Sequence, residues 1–562
     1  MVPISFPLFR MSSELWYKDS VFYELHVRAY HDSNNDGMGD FVGLTSKLPY
    51  LKWLGVDCIW ILPHYPSPLF DDGYDISDYL NVHPDYGTLA DFERFVSAAH
   101  DFGLKVLVDF VVNHTSDQHP WFQAARSDPN SPYRDYYVWS DTPDKYKGVR
   151  IIFCDTENSN WTYDEIAGQY YWHRFFSSQP DLNWENPKVK EEIFNALRFW
   201  CRKGVDGFRV DAVPYLIQRE GTTCENLPET HSILKEMRRM IDTEFPNVFL
   251  LCEANMPADE VVQYFGTPEE PEFHSSFHFP VMPRIFMSLV KGECSEIRKI
   301  MDETVEIPSN TQWMLFLRNH DELTLEKITE EQRNFMWSAL APGPREKQNL
   351  GIRRRLASIC EYDNRRILML NALLFSLPGS PIIYYGDELG AGDNVFLRDR
   401  DGQRLPMQWD PRLANAGFSN SRRPYANPVG GGFGSPAYAS VAVQQLSDTS
   451  LLNMMRKLIA TRKKSRAFGR GTYFIPECPD SVFPMLRVLD GEVLLCLANV
   501  TSSAHSITVV IPLNKLPSDR SYESALFTDM LGSTYVKGEV VDEKLVVEVS
   551  ISEYGYHWFA LN

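Results

Sequence analysis

Short apolar runs rich in β-branched and aromatic residues recur through most of this chain, each followed by a stretch of helical periodicity. They are "VFYELHVRAY" from Val21, "CIWILPHY" from Cys58, "KVLVDFVVNH" from Lys105 and "VDGFRVDAV" from Val205. "VFLLCEAN" from Val248, "FHFP" from Phe277, "QWMLFLRNHDE" from Gln312 and "PIIYYGDELG" from Pro381 complete the set. Segments such as "TLADFERFVSAAHDFG" and "NPKVKEEIFNALRFWCRKG" fall between them. Eight β–α alternations favour a parallel (β/α)8 barrel, with a doubly wound sheet as the rival.

At 562 residues the chain exceeds one hydrophobic core, so further domains are expected. Two places break the rhythm. A long polar, Trp/Tyr-rich segment separates His114 from Trp184, where a short loop was due. Past Arg466 the pattern turns hairpin-like, with "EVLLCLANV", "SITVVIPL" and "KLVVEVSISE". The expected organisation is a barrel over 1–112 and 185–466, an inserted subdomain over 113–184, and a C-terminal antiparallel β-sandwich over 467–562. Lid-like insertions are expected near 322–360 and 393–446.

In a barrel, groups at the C-terminal strand ends share one mouth. Here Asn113 and His114 end the third strand, Arg209 and Asp211 the fourth, and Glu253 the fifth. Arg318, His320 and Asp321 end the seventh. Three carboxylates without a Cys/His ligand set point to glycosyl chemistry. Acetal cleavage needs one protonated carboxyl for the leaving oxygen and one ionised carboxylate for the oxocarbenium-like carbon. Arg209 and Asp211 stand two apart and so face the same side of a strand. The arginine would keep Asp211 ionised and oriented for attack.

"DFVVNH", "GFRVDAV", "CEAN" and "RNHDE" resemble, in order and spacing, the four short sequence regions of the α-amylase superfamily, glycoside hydrolase family 13. The resemblance implies Asp211 as nucleophile, Glu253 as general acid/base, and Asp321 as the carboxylate that grips sugar hydroxyls. It implies His114 and His320 as hydrogen-bond partners of the bound glucose. "DDGYDISDY" is similar to the oligo-1,6-glucosidase branch, placing Asp71 and Tyr74 around that glucose, with Arg400 paired to Asp71. Longer runs, among them "WHRFFSSQPDLNWENP", "LGIRRRLA" and "LRDRDGQRLPMQWD", are similar to the trehalose synthase group. That likeness implies interconversion of the disaccharides maltose and trehalose by a retaining mechanism, with minor hydrolysis, in a closed pocket. An α-glucosidase using the same carboxylates is the alternative. A catalytically dead barrel serving as an accessory subunit would have lost a carboxylate or carried an anchor, and neither is seen.

The same family resemblance raises metal sites. "DSNNDGMGD" offers Asp32, Asn34, Asp36, the Met38 carbonyl and Asp40 to Ca²⁺ or Mg²⁺; it is equally an Asx-rich turn that needs no ion. A second Ca²⁺ site maps to Asn113, Asp181 and the carbonyls of Tyr215 and Leu216. A family glutamate appears there as Gln218, which lowers ligand charge. No organic cofactor is implied.

A net charge of −20 argues against nucleic acid or an anionic membrane as partner. Nine dispersed cysteines, with no C-x-x-C pair, read as a reducing, cytoplasmic compartment. The opening "MVPISFPLFRMSSELWYKD" lacks the features of a leader. A homo-oligomer is compatible with the sequence, and any maltokinase partner is expected to be a separate chain.

Overall fold

A computed structural model describes residues 15–562. The stretch read for a leader lies outside the described residues except for its last five. Eight strands close a parallel barrel in sequence order: β1 Phe22–Leu25, β2 Cys58–Ile61, β3 Lys105–Val111, β4 Gly207–Asp211, β5 Phe249–Cys252, β6 Ser275–Phe277, β7 Gln312–Phe316 and β8 Ser380–Tyr384. β8 pairs back onto β1, so no edge remains exposed. Strands buried on both faces read as near-continuous apolar runs, which is why seven of the eight lie within their expected runs or overlap them closely. The sixth does not. It ends at Phe277, where the sequence reading began it, because Ser275 and Ser276 hide a fully buried strand behind polar side chains.

Helices cover the barrel with recognisable caps. Thr88 and Asp91 form a capping box on Leu89–Asp101, and Asn186 caps Pro187–Arg202. Between β3 and β4 the chain builds a three-stranded antiparallel sheet from Trp139–Ser140, Trp161–Asp164 and Gln169–Trp172. After β7 come a second small sheet and the helix Glu330–Leu340. The C-terminal region is one connected antiparallel sheet of eight strands. Val482, Leu495 and Phe559 from one half share a core with Val509, Val547 and Ile551 from the other, so the sheet folds over onto itself. Its opposite face joins the barrel core through Phe483, Met485 and Trp558. Among the described residues no helix is long and apolar enough to cross a membrane.

Candidate active site

Register decides what the mouth of the barrel holds. Asp109 of β3 lies directly beside Arg209 of β4, and Val111 beside Asp211. The alternation along each strand then sends Asp109, Arg209 and Asp211 to the interior. Arg209 is 1% exposed and serves three carboxylates at once. Nη1 donates to Asp109 Oδ1 at 2.8 Å and to Asp211 Oδ1 at 2.5 Å, and Nη2 meets Glu253 Oε1 at 2.7 Å. The arginine is therefore not a private partner of Asp211. The Ala212 N–H fixes the other Glu253 oxygen at 3.0 Å.

Above this clamp lies a cavity of about 140 Å³, lined by Asp211, Glu253 and Asp321 together with Asp71, Tyr74, His114, His320 and Arg400. The three carboxylates come from three different strand ends and meet there. Asp321 is held by His320 Nε2 at 3.1 Å, Arg400 Nη1 at 2.6 Å and Arg404 Nη2 at 3.2 Å. Arg400 Nη2 also pairs with Asp71 at 2.6 Å, tying the loop after β2 to the loop after β8. Tyr74 stacks on His320, with ring centroids 5.2 Å apart and planes 9° from parallel. Its hydroxyl donates to Asp109 Oδ2 at 2.9 Å and lies 2.8 Å from His320 Nε2. His114 Nε2 sits 2.9 Å from the Tyr74 carbonyl. Arg318, counted with the strand-end groups, turns away: it donates to the carbonyls of Arg354 and Asp321 and braces the loop.

Burial raises all three acids, and their charged partners split them. Burial pushes Glu253 up to about 7; Arg209 pulls back, and the charges of Asp211 and Asp321 add to the rise. It raises Asp211 to about 6, against Arg209 and with the help of Asp109. Asp321 goes the other way: burial is outweighed by His320, Arg400 and Arg404, which hold it well below the usual carboxylate range. His320 rises to about 9, since Asp321 and Glu24 overcome its burial, whereas burial lowers His114 to about 4. The site thus contains a carboxyl protonated near neutrality beside one that ionises lower, the division of labour acid–base chemistry requires.

Several lining or supporting groups escaped the sequence reading. Asp109 was visible inside "KVLVDFVVNH" as a charge on the interior face of a core strand, the same signal that exposed Arg209. Glu24, whose carboxylate is 2.6 Å from His320 Nδ1, carried that signal in β1. Phe153 and Phe175, which wall the cavity from the inserted segment, carried none. Arg150, also from that segment, reaches Glu326 at 2.6 Å and Glu225 at 2.8 Å. Asn255 Nδ2 donates to Glu326 at 3.2 Å, so the insertion is clasped to the segment after β7 over the cavity.

Every carboxylate oxygen of Asp32, Asp36 and Asp40 already accepts a hydrogen bond, chiefly from N–H groups of Asn34, Asn35, Gly37, Met38 and Gly43. The Asn34 carbonyl oxygen accepts from Asp36 N–H. Among the described residues no three His, Cys, Asp or Glu side chains group to hold a metal. Asx-turn hydrogen bonds organise this loop, and each carboxylate oxygen keeps a lone pair that a cation would use. At the second position Asn113 Nδ2 donates to Asp181 Oδ1 at 3.0 Å, while Asn113 Oδ1 and Asp181 Oδ2 are buried with no partner. Two orphaned oxygens fit a hard cation. Gln218 opposes it by donating to the Tyr215 carbonyl at 3.3 Å, one of the oxygens such an ion would use.

A closed eight-stranded parallel barrel with three carboxylates at its mouth and a C-terminal antiparallel domain defines a protein of the α-amylase kind. The family model "Alpha amylase, catalytic domain" matches residues 24–341 and 352–471, and the chain belongs to that family. Within it the similarity is to trehalose synthases. A trehalose synthase of Pimelobacter sp. (strain R48) is 48% identical over 97% of this chain and 96% of its own length. A trehalose synthase/amylase of Mycolicibacterium smegmatis is 48% identical over 97% and 92%. Among solved structures, isomaltulose synthase from Klebsiella sp. LX3 superposes with a TM-score of 0.76 at 28% identity, covering 97% of this chain and 99% of that one.

Proposed function

We propose that this protein interconverts maltose and trehalose by intramolecular transglucosylation. The observation that carries the reading is the single cavity in which Asp211, Glu253 and Asp321 meet, joined to near full-length similarity to trehalose synthases. Asp211 Oδ attacks the anomeric carbon of the glucosyl unit while Glu253 gives its proton to the glycosidic oxygen. Glucose departs and a β-glucosyl ester on Asp211 remains. The released glucose turns within the pocket, and its anomeric hydroxyl attacks the ester carbon. Glu253, now a carboxylate, takes that hydroxyl proton, and Asp211 leaves. Net retention follows from two inversions. Asp321, kept ionised by His320 and two arginines, accepts hydroxyl hydrogen bonds of the sugar that strengthen at the transition state. Asp71, with Arg400, His114 and the Tyr74 ring define the glucose position.

The aromatic walls and the Arg150–Glu326 clasp support the exclusion of water that isomerisation needs. A Ca²⁺ ion would be held by Asn113 Oδ1, Asp181 Oδ2 and the carbonyls of Tyr215 and Leu216, stiffening the base of the insertion. All nine cysteines are unpaired, which supports a cytoplasmic location. Homo-oligomerisation and a separate maltokinase partner remain compatible with this reading. Incubation with maltose tests it: trehalose should dominate over glucose among the products. Glucose as the main product would make the protein an α-glucosidase instead.

A further inference from the structure

A second cavity lies at the other end of the barrel. Its volume is about 380 Å³, and it is lined by the residues that open β7, by Leu377 and Pro378 just before β8, and by Tyr473 and Arg487 of the C-terminal domain. Those positions set it at the N-terminal strand ends, opposite the catalytic mouth. Its walls are largely apolar: Met301, Ile307, Trp313, Leu315 and Leu377. Its charged groups are mostly cations. Tyr473 and Arg487 are cross-strand partners, so they stand on the same face of the domain's sheet.

Arg487 is 1% exposed and makes no ion pair among the described residues. Its Nη atoms donate only to the carbonyls of Ser376, at 3.1 Å, and Gly471, at 3.0 Å; its Nε has no partner. Lys18 is half-buried and donates to the Ser309 carbonyl at 2.6 Å, again with no carboxylate. Arg470 completes the group, but Asp19 engages it at 2.7 Å. The one acid on the lining is the exposed Glu306. Burial, with the charges of Arg470 and Arg487, pulls Lys18 down to about 8 against the opposing charge of Asp19. Sheltered cations that outnumber their counter-ions, here three around Asp19, are costly to a fold. The carbonyl contacts of Arg487 account for its place at the domain seam, but not for the cavity or for Lys18.

We propose that this cavity binds a small organic oxyanion, a phosphate- or carboxylate-bearing metabolite, at a site separate from the catalytic one. Lys18 at the cavity's edge receives the oxyanion, aided by the charge of the buried Arg487, and the apolar wall and Tyr473 ring receive the carbon skeleton. The volume is that of an organic ligand rather than a bare ion.

Calorimetric titration of the full chain with glucose 6-phosphate, citrate, inorganic phosphate and glucose tests this. Expected is saturable one-to-one binding of glucose 6-phosphate or citrate, unaffected by saturating maltose, with the two arms identifying the oxyanion. Glucose should not bind in this way, and inorganic phosphate should bind at least about tenfold more weakly. Lys18→Met, which removes one charge-assisted contact at the cavity's edge, should weaken binding about tenfold or more. Tyr473→Ala should weaken it as well, and both variants should keep their turnover of maltose. The proposal is overturned by neither organic anion binding, by binding competed by maltose, or by binding untouched in both variants. Inorganic phosphate binding as tightly as the organic anions would mean an adventitious ion only, and would overturn it too.

Discussion

Arg209 shows how one side chain can set the chemistry of its neighbours. Because it is divided among Asp109, Asp211 and Glu253, none of the three is neutralised outright, and burial leaves Asp211 at about 6 and Glu253 at about 7. The proposed mechanism needs Asp211 ionised and Glu253 protonated. Protonation of Asp211 should therefore cut kcat/KM as pH falls through about 6, and ionisation of Glu253 should cut it as pH rises through about 7. The two limbs belong to the interacting pair. Asp109 raises Asp211 through its charge, so Asp109→Asn should move the acid limb of the profile to lower pH; an unmoved or raised limb would remove Asp109 from the account. Asp211→Ala should lose at least about 10³-fold in kcat with the fold retained, as expected when a nucleophile goes. At the orphaned oxygens of Asn113 and Asp181, Gln218→Glu restores ligand charge and removes the donor on the Tyr215 carbonyl. Added Ca²⁺ should then raise Tm more in that variant than in the wild type, as a thermal melt with and without chelator would read.

Elements were legible in the sequence to the extent that their signal was local. β3 and β4 announce themselves as apolar runs interrupted by charges of one parity, and that parity exposed Arg209 and Asp211 before any coordinates. β6 was displaced because its first two residues are serines, buried by neighbouring strands rather than by their own hydrophobicity. The clasp over the cavity was not legible at all. Arg150, Asn255 and Glu326 belong to three loops, and nothing in the composition of any one of them names its partner. The same holds for the Asx loop, where the residue types of a cation site and of a self-satisfied turn coincide. The clasp carries a prediction of its own. Arg150→Ala breaks the bridge from the insertion to Glu326, so water should reach the glucosyl ester more readily and the glucose share of products from maltose should rise several-fold. An unchanged trehalose-to-glucose ratio would mean that the clasp does not control water.

At the scale of the whole molecule, the barrel and the C-terminal domain share a core. Phe483, Met485 and Trp558 pack into the barrel's core cluster, and Arg487 donates from the domain to the barrel's Ser376 carbonyl. Exposing that seam would uncover Phe483, Met485 and Trp558 together. A chain cut after Arg466 should therefore be insoluble or inactive, and the intact protein should unfold in one calorimetric transition rather than two. In the proposed mechanism the closed barrel, the clamp on its interior and the clasp above it would together hold a released glucose beside an ester on Asp211 until it attacks through its anomeric oxygen. Turnover of unlabelled maltose in a large excess of ¹³C-glucose measures that retention directly. The trehalose formed should carry almost no label, because both halves come from one maltose; label entering trehalose in proportion to the added glucose would contradict it.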